Sequence, residues 1–212
     1  MSSFMNTVDV VGDEALTISI IDRSVTEIVD NLVTSVGSGA FQFCSALTTA
    51  NFPVATEIDS VAFASCSALT TANFPVAASV GYGAFQFCSA MTTANFPAAT
   101  GIGNFAFKSC FALTTANFPV AASVGYGAFD SCSQLTALIL RAETMATLRS
   151  TNAFNNNPIK SGTGYIYVPR ALVDNYKAAS SWSTYAAQFR ALEDYTVDGT
   201  ITGALDETKI AE

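Results

Sequence analysis

The five cysteines of this 212-residue chain, Cys44, Cys66, Cys88, Cys110 and Cys132, stand 22 residues apart. Phe41, Phe63, Phe85, Phe107 and Phe129 keep the same interval, each preceded by Ala, and so do Val36, Ile58, Val80, Ile102 and Val124. Pro53, Pro75, Pro97 and Pro119 close a shared phrase. It reads LTTANFP at Leu47–Pro53, Leu69–Pro75 and Leu113–Pro119, and Met replaces the first letter at Met91–Pro97. An interval of this length belongs to stacked-repeat architectures, in which each unit buries its apolar residues against its neighbours. The run Thr70–Phe85 recurs letter for letter at Thr114–Phe129, a shift of two repeats that points to copying of a two-repeat block.

Within one unit, Leu47, Ala50 and Phe52 match the apolar positions of a leucine-rich repeat, L-x-x-L-x-L. Alternation along a strand turns Ala50 and Phe52 inward and Thr49 and Asn51 outward. Pro53 has no N–H to give to a ladder and so fits a strand end. The small residues of Val80–Phe85 permit a tight turn before Ala84 and Phe85 return to the core. The expected fold is a mostly β solenoid, a right-handed leucine-rich-repeat array with helical N- and C-terminal caps. About seven parallel strands line one face, with turns or short 3₁₀ pieces on the other.

Four segments are expected: 1–35 as a cap with a degenerate first coil, 36–145 as five repeats, 146–194 as a degenerate last repeat and helical cap, and 195–212 as a polar tail, mobile in part. Gly12–Asp22 reads as the N-terminal helix, with Asp13 as its cap and Leu16, Ile20 and Ile21 on one face. Val25 and Ile28 fall one period before Leu47 and Ala50. Asn152–Pro158 restarts the Ala-Phe turn three residues late, and Tyr165–Pro169 supplies a last strand. Arg170–Phe189 reads as one or two amphipathic helices with Leu172, Val173, Tyr176 and Trp182 toward the core.

Charge narrows the function classes. The net charge is −8, which excludes a general basic footprint, so neither nucleic acid nor an anionic membrane is an expected partner. No run approaches the roughly 20 apolar residues of a membrane span, and the first residues lack the basic start and apolar core of a signal peptide. The chain has no His, which removes Ser-His-Asp and Cys-His nucleophiles and HExxH zinc sites. Glu57 and Asp59 share one loop and read as a solvated turn. Gly101–Ala106 matches G-x-G-x-x-A only as this repeat's wording of SVGYGA, and no acid stands about 20 residues on. Stacked cysteines lie within bridging reach, yet their parallel side chains suit neither a disulfide nor a zinc site. Five reduced, buried thiols are therefore expected. No catalytic residue, metal or cofactor is expected.

The pattern VGYGAFQFCSAMTTANFP, with Ala-Phe, Cys and Pro at these spacings, resembles the BspA-type leucine-rich repeats of bacteria, and the resemblance covers Val36 to Pro169. It implies a solenoid of 22–23-residue repeats, often at a cell surface and in some cases adhesive or binding host proteins. This chain departs from the pattern at Ala50, Ala72, Ala94 and Ala116, where Ile or Leu is usual.

Three functions fit such a chain. One is a non-enzymatic, monomeric binding module, adhesive at a cell surface, with a protein or glycan partner. The second is a structural spacer in a surface or phage-tail assembly. The third is an ice-binding surface, since rows of Thr on a regular β face are what that needs. The candidate binding residues are two outward columns, Thr49, Thr71, Thr93 and Thr115 beside Asn51, Asn73, Asn95 and Asn117. Stacked Asn amides also bond along a ladder and Thr suits strands, so the same columns serve equally as support for the sheet.

Overall fold

The computed structural model describes residues 23–210. In chain order these form β1 (Glu27–Val29), β2 (Ser35–Val36), β3 (Thr49–Asn51), β4 (Glu57–Ile58), β5 (Thr71–Asn73), β6 (Ser79–Val80), β7 (Thr93–Asn95), β8 (Gly101–Ile102), β9 (Thr115–Asn117), β10 (Ser123–Val124), β11 (Ala137–Ile139), β12 (Thr147–Leu148), β13 (Tyr165–Val168) and β14 (Phe189–Ala191). Short helices are α1 (Pro158–Ser161), α2 (Val173–Ala178) and α3 (Glu207–Ile210). The helix expected at Gly12–Asp22 lies outside the described residues.

Parallel strands stack into a repeat array. The odd-numbered strands form one face, in the order β1-β3-β5 and then β7-β9-β11-β13, with β14 added outside β13. Their register is one repeat: Thr49 pairs with Thr71 and Ala50 with Ala72. Pro lets β3, β7 and β9 run only one residue past Asn: the Phe52 N–H donates to the Asn73 carbonyl at 3.0 Å, and the next position has no N–H. The opposite face differs from the expectation of turns or short 3₁₀ pieces. There the even-numbered strands make a six-stranded parallel sheet, β2-β4-β6-β8-β10-β12. Each contributes two residues, with the inward Val, Ile or, in β12, Leu148 buried.

Two columns of phenylalanine fill the space between the faces. Phe41 stacks on Phe63 with centroids 5.0 Å apart and rings 5° from parallel, and the column continues through Phe85, Phe107 and Phe129. Phe154 extends it at 5.8 Å, so the late Ala-Phe turn keeps its place in the stack. The second column is Phe52, Phe74, Phe96 and Phe118, set at a steep tilt to the first. Each buried ring contributes about 1.5–3 kcal/mol by desolvation.

The turn glycines have two separate tasks. A Cβ on Gly81, Gly103 or Gly125 would lie 2.5–2.9 Å from main-chain atoms of the preceding coil, so these three let the coils close up. Gly83 and Gly127 instead hold positive φ, a conformation that Val61 and Phe105 share at the same position of their repeats.

The chain beyond β13 closes the end of the stack. The Trp182 indole packs near Phe154 and donates to the Ala146 carbonyl at 2.8 Å, while the Tyr176 hydroxyl accepts from the Ala146 N–H. Leu172 and Val173 pack beside them, as the amphipathic pattern anticipates. One six-residue α-helix and 3₁₀ turns make up this segment, and Phe189, read as the last residue of the helical stretch, instead opens the strand Phe189–Ala191. The tail, expected to be mobile in part, packs as well. Tyr195, Ile201, Leu205 and Ile210 lie against Ala137, Ile139, Tyr167 and Leu192, and Arg141 donates to the carbonyls of Ile201 and Gly203. That cover explains the change of wording at β11, where apolar Ala137 and Ile139 take the outward places of Thr and Asn.

Candidate interaction face

Both candidate columns stand on the odd-numbered strands. Thr49, Thr71, Thr93 and Thr115 open β3, β5, β7 and β9, and Asn51, Asn73, Asn95 and Asn117 close them. The Asn column is a ladder in two halves. Asn73 Nδ2 donates to Asn51 Oδ1 at 2.6 Å, and Asn117 Nδ2 donates to Asn95 Oδ1 at 2.9 Å. Between the halves the sheet itself is divided, since β5 ends one ladder and β7 begins the next.

The seam sets the exposure of the face. Thr71, Asn73, Thr93 and Asn95 are exposed, whereas Thr49, Asn51, Thr115 and Asn117 are half-buried. Ala72, inward on β5, is half-buried while Ala50, Ala94 and Ala116 are fully buried. At its far end the ladder stops on Asn117, whose Oδ1 is buried without a hydrogen-bond partner and which stands in register with apolar Ile139.

A different set of threonines secures the stack. Thr48, Thr70 and Thr114, one residue ahead of the outward column, donate their hydroxyls to the carbonyl of the same position one coil earlier, at 2.8–3.1 Å. These threonines are exposed like Thr71 and Thr93, but their hydroxyls are committed to the main chain. Sequence reasoning did not single out this second Thr row, although its 22-residue interval was visible.

Two further exposed rows went unnoticed in the sequence. The turn face carries an aromatic row in which Phe105 lies edge-on between Tyr82 and Tyr126, at 5.7 and 5.1 Å, with Lys108 over its ring. Val54, Val76 and Val120, each after a column proline, are 40–44% exposed.

Among the described residues, no group of three His, Cys, Asp or Glu could hold a metal ion, and no helix is long and apolar enough to cross a membrane. Glu57, read from the sequence as part of a solvated turn, instead opens strand β4, and Asp59 follows that strand directly; both side chains are exposed.

The model of the BspA type leucine rich repeat region matches residues 22–136 and 56–165, in six copies. No curated protein sequence matches the chain. Among solved structures, a leucine-rich repeat protein from Bacteroides ovatus is 24% identical over 64% of this chain and 43% of its own, with a TM-score of 0.42. A leucine rich cell surface protein from Faecalibacterium prausnitzii is 22% identical over 55% of this chain and 39% of its own, with a TM-score of 0.38. This chain therefore spans less than half the length of either. With repeat matches extending from residue 22 to residue 165, the chain belongs to the BspA-type leucine-rich repeat family.

Proposed function

We propose that the chain is a non-enzymatic interaction module, adhesive at a cell surface, that binds a protein or glycan partner through the centre of its Thr/Asn face. The observation that carries this reading is the seam. Among the described residues, Asn73 and Asn95 make no hydrogen bond to each other, and both are exposed beside Thr71 and Thr93. Four adjacent polar side chains thus offer donors and acceptors to a partner without first breaking the ladder.

A second reading, a structural spacer, is favoured by the amide bonds on either side of the seam, which use Asn51, Asn73, Asn95 and Asn117 to join coils. The two readings separate with an Asn73→Asp/Asn95→Asp variant tested on a glycan array and a panel of extracellular-matrix proteins. Like charges about 5 Å apart repel, so circular dichroism must first show the parent spectrum. The module reading expects binding by the parent and a loss of about tenfold or more in the folded variant. A folded variant that binds as the parent does makes the face scaffold.

A further inference from the structure

Beyond Asn117 the two outward columns pass under the tail at Ala137 and Ile139 and continue as Tyr165, half-buried, and Tyr167, buried against the tail, with Arg190 in register beside Tyr167. These three residues, with Tyr195 and Lys209 from the tail, line a pocket of about 220 Å³. Its composition departs from the rest of a chain with 17 acidic and 9 basic residues: two cations and three tyrosines surround one hollow.

The groups are held in place. The Arg190 guanidinium stands 4.0 Å over the Tyr165 ring, and its Nη1 donates to the carbonyls of Ala187 and Phe189 at 2.9 and 3.0 Å. Among the described residues no carboxylate pairs with it. The Tyr195 ring meets Tyr167 edge-on at 4.9 Å. Lys209 lies 3.9 Å from Asp206, an exposed contact that leaves two of its three ammonium donors uncommitted. Burial, helped by neighbouring Tyr195, pushes the Tyr167 hydroxyl up to about 12 against the pull of Arg190, so it remains a donor at neutral pH.

We propose that this pocket binds a carboxylate-bearing sugar ring, a uronic- or sialic-acid type unit of a glycan. Aromatic rings take the C–H face of a sugar and tyrosine hydroxyls bond its rim. The planar guanidinium suits a carboxylate in fork geometry, and Lys209 adds a point charge. The volume lies below the roughly 300–1,000 Å³ of pockets for drug-sized ligands, so one ring fits and an extended molecule does not. The net charge of −8 repels long polyanions at a distance, which favours a single charge that reaches Arg190 at close range. This site is separate from the Thr/Asn centre and does not rest on the reading of that face.

The test is calorimetric titration of the full chain with glucuronic acid, glucose and acetate. Glucuronate should bind with Kd of about 1 mM or below, and glucose and acetate at least about tenfold more weakly. Arg190→Gln should weaken glucuronate binding at least about tenfold. Lys209→Gln, on an exposed side chain, should weaken it at least about threefold with no change in melting temperature. The lysine variant decides the matter if the arginine variant fails to fold. Glucose binding as tightly as glucuronate overturns carboxylate recognition, and acetate binding as tightly overturns the sugar ring. Displacement of glucuronate by a short peptide through its C-terminal carboxylate at lower concentration reassigns the pocket to peptide ends. A folded Lys209→Gln variant that binds like the parent places the sugar elsewhere.

Discussion

The Cys88 thiol donates to the main-chain carbonyl of Phe63, 3.2 Å away and one coil earlier. Cys66, Cys110 and Cys132 repeat the contact on Phe41, Phe85 and Phe107 at 3.0–3.1 Å. The cysteine column is therefore a row of small donors as well as a row of small hydrophobes, and all five thiols are buried outside any disulfide. A native thiol assay should find almost none of them, and one in denaturant should find five without reductant. Fewer than five would mean that bridges form.

The same burial makes the array sensitive to alkali. It pushes the Cys66 thiol up to about 12 and the Cys88, Cys110 and Cys132 thiols well above their usual 9.0. Folded thiols stay protonated while unfolded ones ionise near 9, so the stability is complete below pH 9 and falls as pH rises toward 12. Each thiol costs up to about 1.4 kcal/mol per pH unit in that window. Urea midpoints measured between pH 8 and 10.5 should show this fall, and Cys88→Ala should reduce its slope by about one proton. An unchanged slope would contradict the assignment.

Gly103→Ala should destabilise the array by about 1–3 kcal/mol, because the new Cβ would stand 2.5 Å from the Gly81 carbonyl oxygen and force two coils apart. Gly101→Ala is the control two residues away. Its Cβ would meet only the Ser123 hydroxyl, at 3.4 Å, so thermal melting should move little in either direction.

Val61 and Phe105 hold the same strained φ, at 50° and 57°, yet they should respond in opposite ways to glycine. Val61→Gly relieves a β-branched side chain of a left-handed conformation and should gain up to about 1 kcal/mol. Phe105→Gly relieves the same strain but discards the ring between Tyr82 and Tyr126, and should lose about 1–2 kcal/mol. Chemical denaturation of both variants checks the pair.

Deleting 170–212 should convert the protein to aggregates. It removes β14 from the β13 edge, Trp182 and Tyr185 from Phe154, and the tail from Ile139. Light scattering and size-exclusion chromatography decide it, and a soluble monomeric truncation would refute it.

How far the sequence disclosed this structure depended on how many residues carried each signal. Phe41 to Phe129 and Cys44 to Cys132 announced the stack because each column repeats five times. The second sheet did not show, since two residues per coil, such as Ser79–Val80, cannot display an alternation. Phe189 closed an amphipathic helical pattern, and only the pairing of Phe189–Ala191 with Ile166–Val168 made it the start of a strand. The tail's docking was written at its receiving end, in Ala137 and Ile139, more clearly than in the tail itself. The seam between β5 and β7 had no local signal, because both strands read Thr-Ala-Asn.

Hydrogen bonds between coils, such as Thr70 to Thr48, run along the stack axis, and the first and last strands of each sheet lie at opposite ends of it. A pull applied to the two ends would therefore load these bonds in series, as a zipper is loaded, instead of shearing many strands at once. Coils would peel one at a time from an end, since each holds only its neighbours. Each released 22-residue unit would pay out about 75 Å of extended chain. Stretched, the array would act as an extensible tether with a near-constant low resistance, giving way in equal steps before either end lets go.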